Sequence, residues 1–458
     1  MKSISIYAIT RKQNLAQLSR MERQLSKREK PLKMREWELD SLKNLVDQLE
    51  NRMPDVCGLR FFYSFQIPRL GKEFDLLQIK EDQIVNIELK SGAVSEEAMR
   101  RQLLSVLGKP IRSYTYISSQ NRLVRLTNHD HLADTDWEQL CSELQNESED
   151  YKGNAEALFQ AELFLISPLT EPSRFLKKEY FLTAQQRDIE RQILKKIRLE
   201  RTGYYWFQGL PGTGKTLLLY DMAMKLSVRQ QVCLIHCGEA VEQWKVLHER
   251  LRRVKYLADS QITSDLLSGA SAVLVDEAHL LSQEKLEYLL RYCGNRPVIF
   301  SSDYENMLSP EELDRAAVHA LEQISGIQSF RLTNRIRTNA EISSFIQNMM
   351  CLPERKKGRH FPHVTVLYAN DDREADVLLS DAQHQGYQEI LNEAEPAICA
   401  GRLAMVLDQR YFYDRQNYLR SEDRSVRRLF HQLNGAKEEL LLVVKQNEPL
   451  YAVLLDLL

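Results

Sequence analysis

The sequence predicts an α/β chain of several domains, most of it built on parallel sheets. Three observations carry this prediction. The apolar, aromatic run 204–209 opens into a glycine-rich loop, and a helical pattern follows over 217–226. Apolar runs at 232–235, 272–275 and 297–300 then recur with helix-length stretches between them, the rhythm of βαβ units. Ahead of all this, the β-rich runs 71–79 and 84–90 flank a Glu81-Asp82 turn and read as a hairpin.

The loop is the most specific signal. Gly209-Leu210-Pro211-Gly212-Thr213-Gly214-Lys215-Thr216 matches G-x-x-x-x-G-K-T, placed between a strand and a helix. Gly209, Gly212 and Gly214 let backbone N–H groups close around a β-phosphate, and the helix N-terminus adds a favourable dipole. Lys215 is expected to reach the β- and γ-phosphates, and the Thr216 hydroxyl to sit on Mg²⁺. The chain is therefore expected to bind ATP.

Composition sets bounds. With 458 residues there is room for two or three cores. Hydrophobic content of 43% and charged content of 28% suit a soluble globular protein. A net charge of −2 gives no global pull toward nucleic acid, so such binding must come from local patches. No apolar run reaches membrane-spanning length and no apolar signal core opens the chain, so no membrane partner is expected. Seven cysteines lack CxxC pairs and read as reduced core thiols of a cytoplasmic protein.

Residues 1–35 hold ten Lys/Arg against two Asp/Glu, and Leu15, Leu18, Met21 and Leu25 fall near helical spacing. This basic helix, ended by Pro31, is expected to lie on DNA, on a partner helix, or, as a solvated helix, packed on the domain behind it. A second helical pattern over 34–49 carries Glu36 and Glu38. In the hairpin, Asp75 sits on the first strand, while Glu88 and Lys90 are two apart on the second and share one sheet face. Two carboxylates and a lysine converging there can hold one or two Mg²⁺ ions. Such an ion lowers the pKa of a bound water and steadies a phosphodiester in transit. Strands are expected near 115–117 and 123–126. Residues 130–150, with eight Asp/Glu and no Lys/Arg, read as a solvated helix, 161–168 reads as a strand, and 173–181 as a linker.

Asp75…Glu88-Leu89-Lys90 resembles the D…ExK signature of restriction-endonuclease-like nucleases, particularly the nuclease-related domain that precedes some bacterial helicases. The resemblance implies catalytic roles for Asp75, Glu88 and Lys90. It also implies a helical glutamate joining the metal site, Glu38 or Glu36, and a supporting glutamine, Gln102.

Leu182-Thr183-Ala184-Gln185-Gln186 resembles the adenine-reading Q motif of superfamily 1 helicases, with Gln186 at the matching position. Asp276 and Glu277 end an apolar strand; Asp276 is expected to hold Mg²⁺ through water and Glu277 to polarise the attacking water. Ser302-Asp303-Tyr304-Glu305-Asn306 is similar to the G-D-x-x-Q motif, which implies a nucleotide-site role for Asp303. Leu332-Thr333-Asn334-Arg335-Ile336-Arg337 is similar to L-x-x-N-Y-R, which puts Arg337 at a γ-phosphate arginine.

Together these features imply a restriction-endonuclease-like domain (1–172), a linker (173–181) and two RecA-like lobes (182–350 and 351–458). The arrangement is most similar to the compact Schlafen-type DNA/RNA helicase domain behind bacterial nuclease-related domains. The late motifs depart from the family. Ala397-Ile398-Cys399-Ala400-Gly401 stands where an acidic, glutamine-containing segment is usual. Gly435 stands at an arginine position, with Arg427 and Arg428 as its candidate replacements. The resemblance thus implies Mg²⁺-dependent cleavage of nucleic acid, DNA ahead of RNA, under ATP control, in phage defence or DNA processing. A nucleotide-switched sensor or scaffold is the alternative, and a homo-oligomer or partner subunit stays open.

Overall fold

The computed structural model describes residues 1–458 apart from 12–13, 29–31, 33, 68–72, 93–104, 107–108, 128–131, 160–163, 165, 239–243, 304–307, 309–316, 334–338, 355–359, 391–399 and 423–425. Two compact units divide the chain. One comprises Met1–Phe164 with Lys178–Ala184, the other Leu165–Lys177 with Gln185–Leu458. Among the described residues, no helix is long and apolar enough to cross a membrane, and the six described cysteines are thiols, not disulfides.

The first unit is a mixed sheet. Its strands are β1 (Ile4–Ser5), β2 (Arg60–Gln66), β3 (Glu73–Ile79), β4 (Ile84–Lys90), β5 (Ser105–Val106), β6 (Lys109–Ile117), β7 (Arg122–Leu126) and β8 (Leu132–Asp134). They run in the order β1-β2-β3-β4-β6-β7-β8, with β5 beside β6. Every pairing is antiparallel except β4 with β6. The expected hairpin is thus β3–β4.

Alternation sorts the two faces. Val85, Ile87 and Leu89 enter a core completed by Leu18, by Leu39, Leu42 and Leu45 of the helix Glu36–Glu50, and by Leu140 and Leu144 of the helix Trp137–Leu144. Asn86, Glu88 and Lys90 take the other face.

Two local readings change. The basic helix is Leu15–Ser26 and stops at Lys27, whose left-handed backbone (φ 58°) returns its N–H to Arg23, well before Pro31. The strand expected over 161–168 falls largely outside the described residues. Phe164 itself packs between Phe159 and Phe181, and Phe181 meets Phe74, so an aromatic cluster fastens 178–184 to this unit.

The second unit holds two fully parallel sheets. The larger contains β9 (Tyr204–Gly209), β10 (Val232–His236), β11 (Val254–Ala258), β12 (Ala272–Asp276), β13 (Val298–Ser302) and β14 (Gln328–Leu332), in the order β11-β10-β12-β13-β9-β14. β12 is buried along its whole length, as strands covered on both faces require. The register places Ser302 beside Gln208, Leu332 beside Gly209 and His236 beside Asp276. The carboxyl ends of five strands therefore share one edge, where open parallel sheets bind ligands.

The smaller sheet contains β15 (Val364–Ala369), β16 (Gln388–Glu389), β17 (Ala400–Leu407) and β20 (Ala436–Lys445), ordered β15-β20-β17-β16. A separate hairpin joins β18 (Tyr411–Tyr413) to β19 (Leu419–Ser421). Its core takes in Ile342, Phe345, Ile346 and Met349 of the helix Ala340–Met350, which precedes residue 351.

Candidate functional site

The glycine loop follows β9 directly, and the helix Lys215–Leu226 starts at its end. Gly212 and Gly214 adopt left-handed backbone (φ 77° and 78°), which turns the loop back on itself where a side chain would strain it. Gly209 is required by contact instead. A Cβ there would lie 2.6 Å from Thr213 Oγ1 and 3.1 Å from the Leu332 carbonyl oxygen.

Lys215 is nearly sealed from solvent. Its Nζ donates to the carbonyls of Gly209 (2.9 Å) and Leu210 (3.2 Å), and to Asp303 Oδ2 at 3.1 Å. Thr216 follows it, half-buried, on the first helical turn. Buried Gln186 donates to the Thr213 carbonyl at 2.8 Å, so it braces the loop from the helix Ala184–Glu200. Its neighbour Gln185 spans to β14, donating to the Arg331 carbonyl at 2.8 Å and accepting from Thr333 N at 3.0 Å.

Asp276 is fully buried at the end of β12. Its Oδ1 accepts from Ser301 Oγ; Oδ2 has no hydrogen-bond donor, although His236 Nδ1 lies 3.3 Å away. Burial opposes the charge on His236, but Asp276, Glu277 and Asp259 outweigh it and raise the pKa. Glu277 holds a left-handed backbone (φ 52°), a conformation a non-glycine residue keeps only when its surroundings enforce it. Burial disfavours its charge, yet His279, Lys215, His431 and His236 together hold its carboxylate near pKa 2.

His431 comes from the helix Val426–Leu433 beside the smaller sheet. It opens onto solvent, yet the protein around its ring disfavours charge. With Arg427, His236 and Lys215 this pushes the pKa down to about 4, against the pull of Glu277. Glu277 is thus an ionised carboxylate ringed by nitrogen bases and cations.

The second cluster lies on the first unit's sheet. Asp75 accepts from Leu89 N at 2.7 Å, which fixes its carboxylate against β4. Lys90 Nζ lies 3.6 Å from Asp75 Oδ2 and 3.4 Å from Glu88 Oε2. Burial, then the charge of Glu88, raise Asp75 to about 7 in spite of Lys90. Burial works against the Lys90 charge, but Asp75 and Glu88 prevail and raise its pKa.

Glu38 caps its own helix. Its Oε2 accepts from Arg35 N at 3.0 Å in a helix cap, and Glu36 is on the first turn of the same helix. Among the described residues, no group of three or more His, Cys, Asp or Glu gathers closely enough to hold a metal ion.

The structure brings together Asp75, Glu88 and Lys90 in one place, and Gly209, Gly212, Gly214, Lys215, Gln186, Asp276, Glu277 and Asp303 in another. Gln102, Asn306 and Arg337 lie outside the described residues. Sequence reasoning assigned no role to His236, His279, His431 or Gln185. His279 lies two residues past Glu277 and Gln185 stands inside the 182–186 motif, whereas His236 and His431 carry no local signal.

No protein-family model and no curated protein matches the chain. Among solved structures it is similar to a Pif1 helicase from Bacteroides in complex with ADP-AlF3 and ssDNA, at 15% identity and a TM-score of 0.25, over 44% of this chain and 57% of that one. It is also similar to Pif1 from Candida albicans, at 14% identity and a TM-score of 0.26, over 45% and 55%. AMPPCP-bound DnaA from Aquifex aeolicus matches at 15% identity and a TM-score of 0.26, over 49% and 67%. The alignments thus span little more than half of the Pif1 chains. At these values the matches carry no weight for function, and the chain stands as a mixed α/β protein whose second unit presents a glycine loop at the edge of a parallel sheet.

Proposed function

We infer that this protein is a Mg²⁺-dependent nuclease acting on DNA, governed by an ATP-binding, RecA-type motor of the superfamily 1 kind. The observation that carries the reading is the convergence of Asp75, Glu88 and Lys90 on one sheet face within 3.6 Å, in a chain that also carries a complete phosphate-binding loop. Phage defence or DNA processing is the setting this combination suits.

The residues present fit both groups. In the first unit two crowded carboxylates, one raised to about 7 by burial and its neighbour, are a donor pair that a divalent cation would relieve. When bound, Mg²⁺ supplies positive charge to a phosphodiester in transit and acidifies a coordinated water. Lys90 would orient an attacking water or neutralise charge on the phosphate, and the Leu89 N–H holds the Asp75 carboxylate against β4. Asp75 and Glu88 would hold the ion, and Glu38 joins only if it leaves its cap.

In the second unit the glycines leave room for a phosphate against the backbone, and Lys215 already lies buried at the loop. Lys215 and Thr216 would hold the triphosphate and its Mg²⁺, with Asp276 Oδ2 as the buried acceptor still without a donor. Glu277, held ionised, is suited to orient and polarise water attacking the γ-phosphate. Arg427 and His431 stand within electrostatic range of Glu277, Lys215 and His236, where the arginine replaced by Gly435 would act.

One observation favours the alternative, a nucleotide-switched nucleic-acid sensor with little cleavage. Lys90 already bridges Asp75 and Glu88, so the cluster is balanced without a metal. Incubating linear and circular DNA with Mg²⁺ or EDTA decides between them. Mg²⁺-dependent cleavage lost in Glu88→Ala supports the nuclease. Intact DNA under all conditions, with ATP still bound, supports the sensor.

A further inference from the structure

The helix Leu15–Ser26 has two faces. Leu18, Glu22 and Ser26 recur every fourth residue and are buried. Arg20, Arg23, Gln24 and Lys27 recur at spacings of three and four on the opposite side and, with Arg28, line a shallow groove. The helix's single acid, Glu22, lies beneath, with Oε1 3.0 Å from Arg28 Nε, so the charges on the helix's exposed face are all positive.

Arg28 ties this groove to β2, the strand beside the one that carries Asp75. Its Nη1 donates to the Ser64 carbonyl at 3.0 Å and its Nη2 to the Tyr63 carbonyl. Ser64 is left-handed (φ 49°) and lies between Tyr63, paired with Leu76, and Phe65, paired with Phe74, so it faces Asp75 across the ladder. Tyr63 reports the same neighbourhood: its phenol is raised by burial, then by Glu38, Asp75 and Glu73, and lowered by Arg28.

Among the described residues the groove is lined by Arg, Lys and Gln, which offer few of the apolar anchors on which protein partners depend. It suits a ligand whose negative charges repeat along a line. An acidic peptide would meet repulsion at Asp75 and Glu88, whereas a phosphodiester backbone is the group such a cluster handles with a divalent ion. We propose that the Arg20–Arg23–Lys27 face, fastened by Arg28, is the phosphate track that leads a nucleic-acid strand to Asp75, Glu88 and Lys90. Its destination rests on the nuclease reading; its binding does not.

The test is fluorescence anisotropy on the full chain in EDTA. Labelled single-stranded DNA, duplex DNA and RNA oligonucleotides are titrated across a NaCl series, with polyglutamate as a second polyanion. In an Arg20→Gln, Arg23→Gln, Lys27→Gln variant with an unchanged thermal midpoint, the slope of log K against log salt becomes shallower by roughly 2, each phosphate contact contributing about 0.7–0.9. The track is overturned if wild type binds no nucleic acid, if the slope and affinity do not change, or if only polyglutamate binding is lost. Cleavage in Mg²⁺ is scored separately. Absent cleavage with the slope change sinks the nuclease reading and keeps the track; Glu88-dependent cleavage with unchanged binding does the reverse.

Discussion

Lys215 and Asp303 form a buried ion pair, Nζ to Oδ2 at 3.1 Å, across 88 positions of sequence. The lysine that the loop motif assigns to phosphate is therefore held by a carboxylate from the end of β13 and by two loop carbonyls. Phosphate binding has to exchange these contacts for new ones. Removing one partner of a buried pair leaves the other charge uncompensated, which costs about 3–5 kcal/mol. Lys215→Ala should lose that much stability in urea unfolding, and adding Asp303→Asn should recover part of it. A double variant no more stable than Lys215→Ala would contradict the pairing.

Gln186 donates to the Thr213 carbonyl, so in this structure it supports the loop. One lost neutral hydrogen bond is worth about 1 kcal/mol, roughly fivefold in affinity. Gln186→Ala should weaken ATP and GTP to the same degree in nucleotide titrations. A selective loss of ATP would instead identify Gln186 as an adenine reader, the role its sequence motif implies.

Lys90 is the counter-charge for Asp75 and Glu88. Without it two like charges face each other in a half-buried site. Lys90→Ala should be destabilised by about 1–3 kcal/mol in EDTA, and millimolar Mg²⁺ should restore much of the loss. A thermal midpoint indifferent to Mg²⁺ would argue against a metal at this cluster.

Glu190 gives a pH signature independent of either site. It shares Lys225 with Asp221, whose Oδ2 lies 2.7 Å from Nζ. Burial, then the charge of Asp221, raise Glu190 from 4.5 to about 8. The folded state therefore binds more protons than the unfolded chain between those values, so stability is full below about 4.5 and declines as pH rises toward about 8. Denaturant midpoints measured across this window should fall for wild type, and the fall should flatten in Glu190→Gln. An equal slope in both would refute this protonation state.

Local pattern made part of this molecule legible. The β3–β4 hairpin, with Glu88 and Lys90 two apart, follows from alternation alone, and the glycine loop follows from a motif whose strand and helix flank it directly. The second sheet's strands show as runs at 363–368, one residue ahead of β15, and at 440–444, inside β20.

What sequence did not show depends on long-range pairing. Nothing near Arg28 announces its grip on Ser64, nor does any pattern bring His431 to Glu277 across more than 150 residues. The helix Ala340–Met350 reads as a continuation of the first lobe but buries Ile342, Phe345, Ile346 and Met349 in the second core, because its apolar face matches that sheet. Glu38 carried a metal-site expectation, yet its position three residues into a helix lets it cap the first turn.

The most direct measurement is the rate of DNA cleavage in Mg²⁺ for wild type, Glu88→Ala and Lys215→Ala, each with and without ATP. A nuclease governed by its nucleotide site should cleave at a rate that ATP changes. Glu88→Ala should abolish cleavage in both conditions, and Lys215→Ala should cleave at one rate whether or not ATP is present. Cleavage that survives Glu88→Ala, or that responds to ATP equally in Lys215→Ala and wild type, would contradict the account.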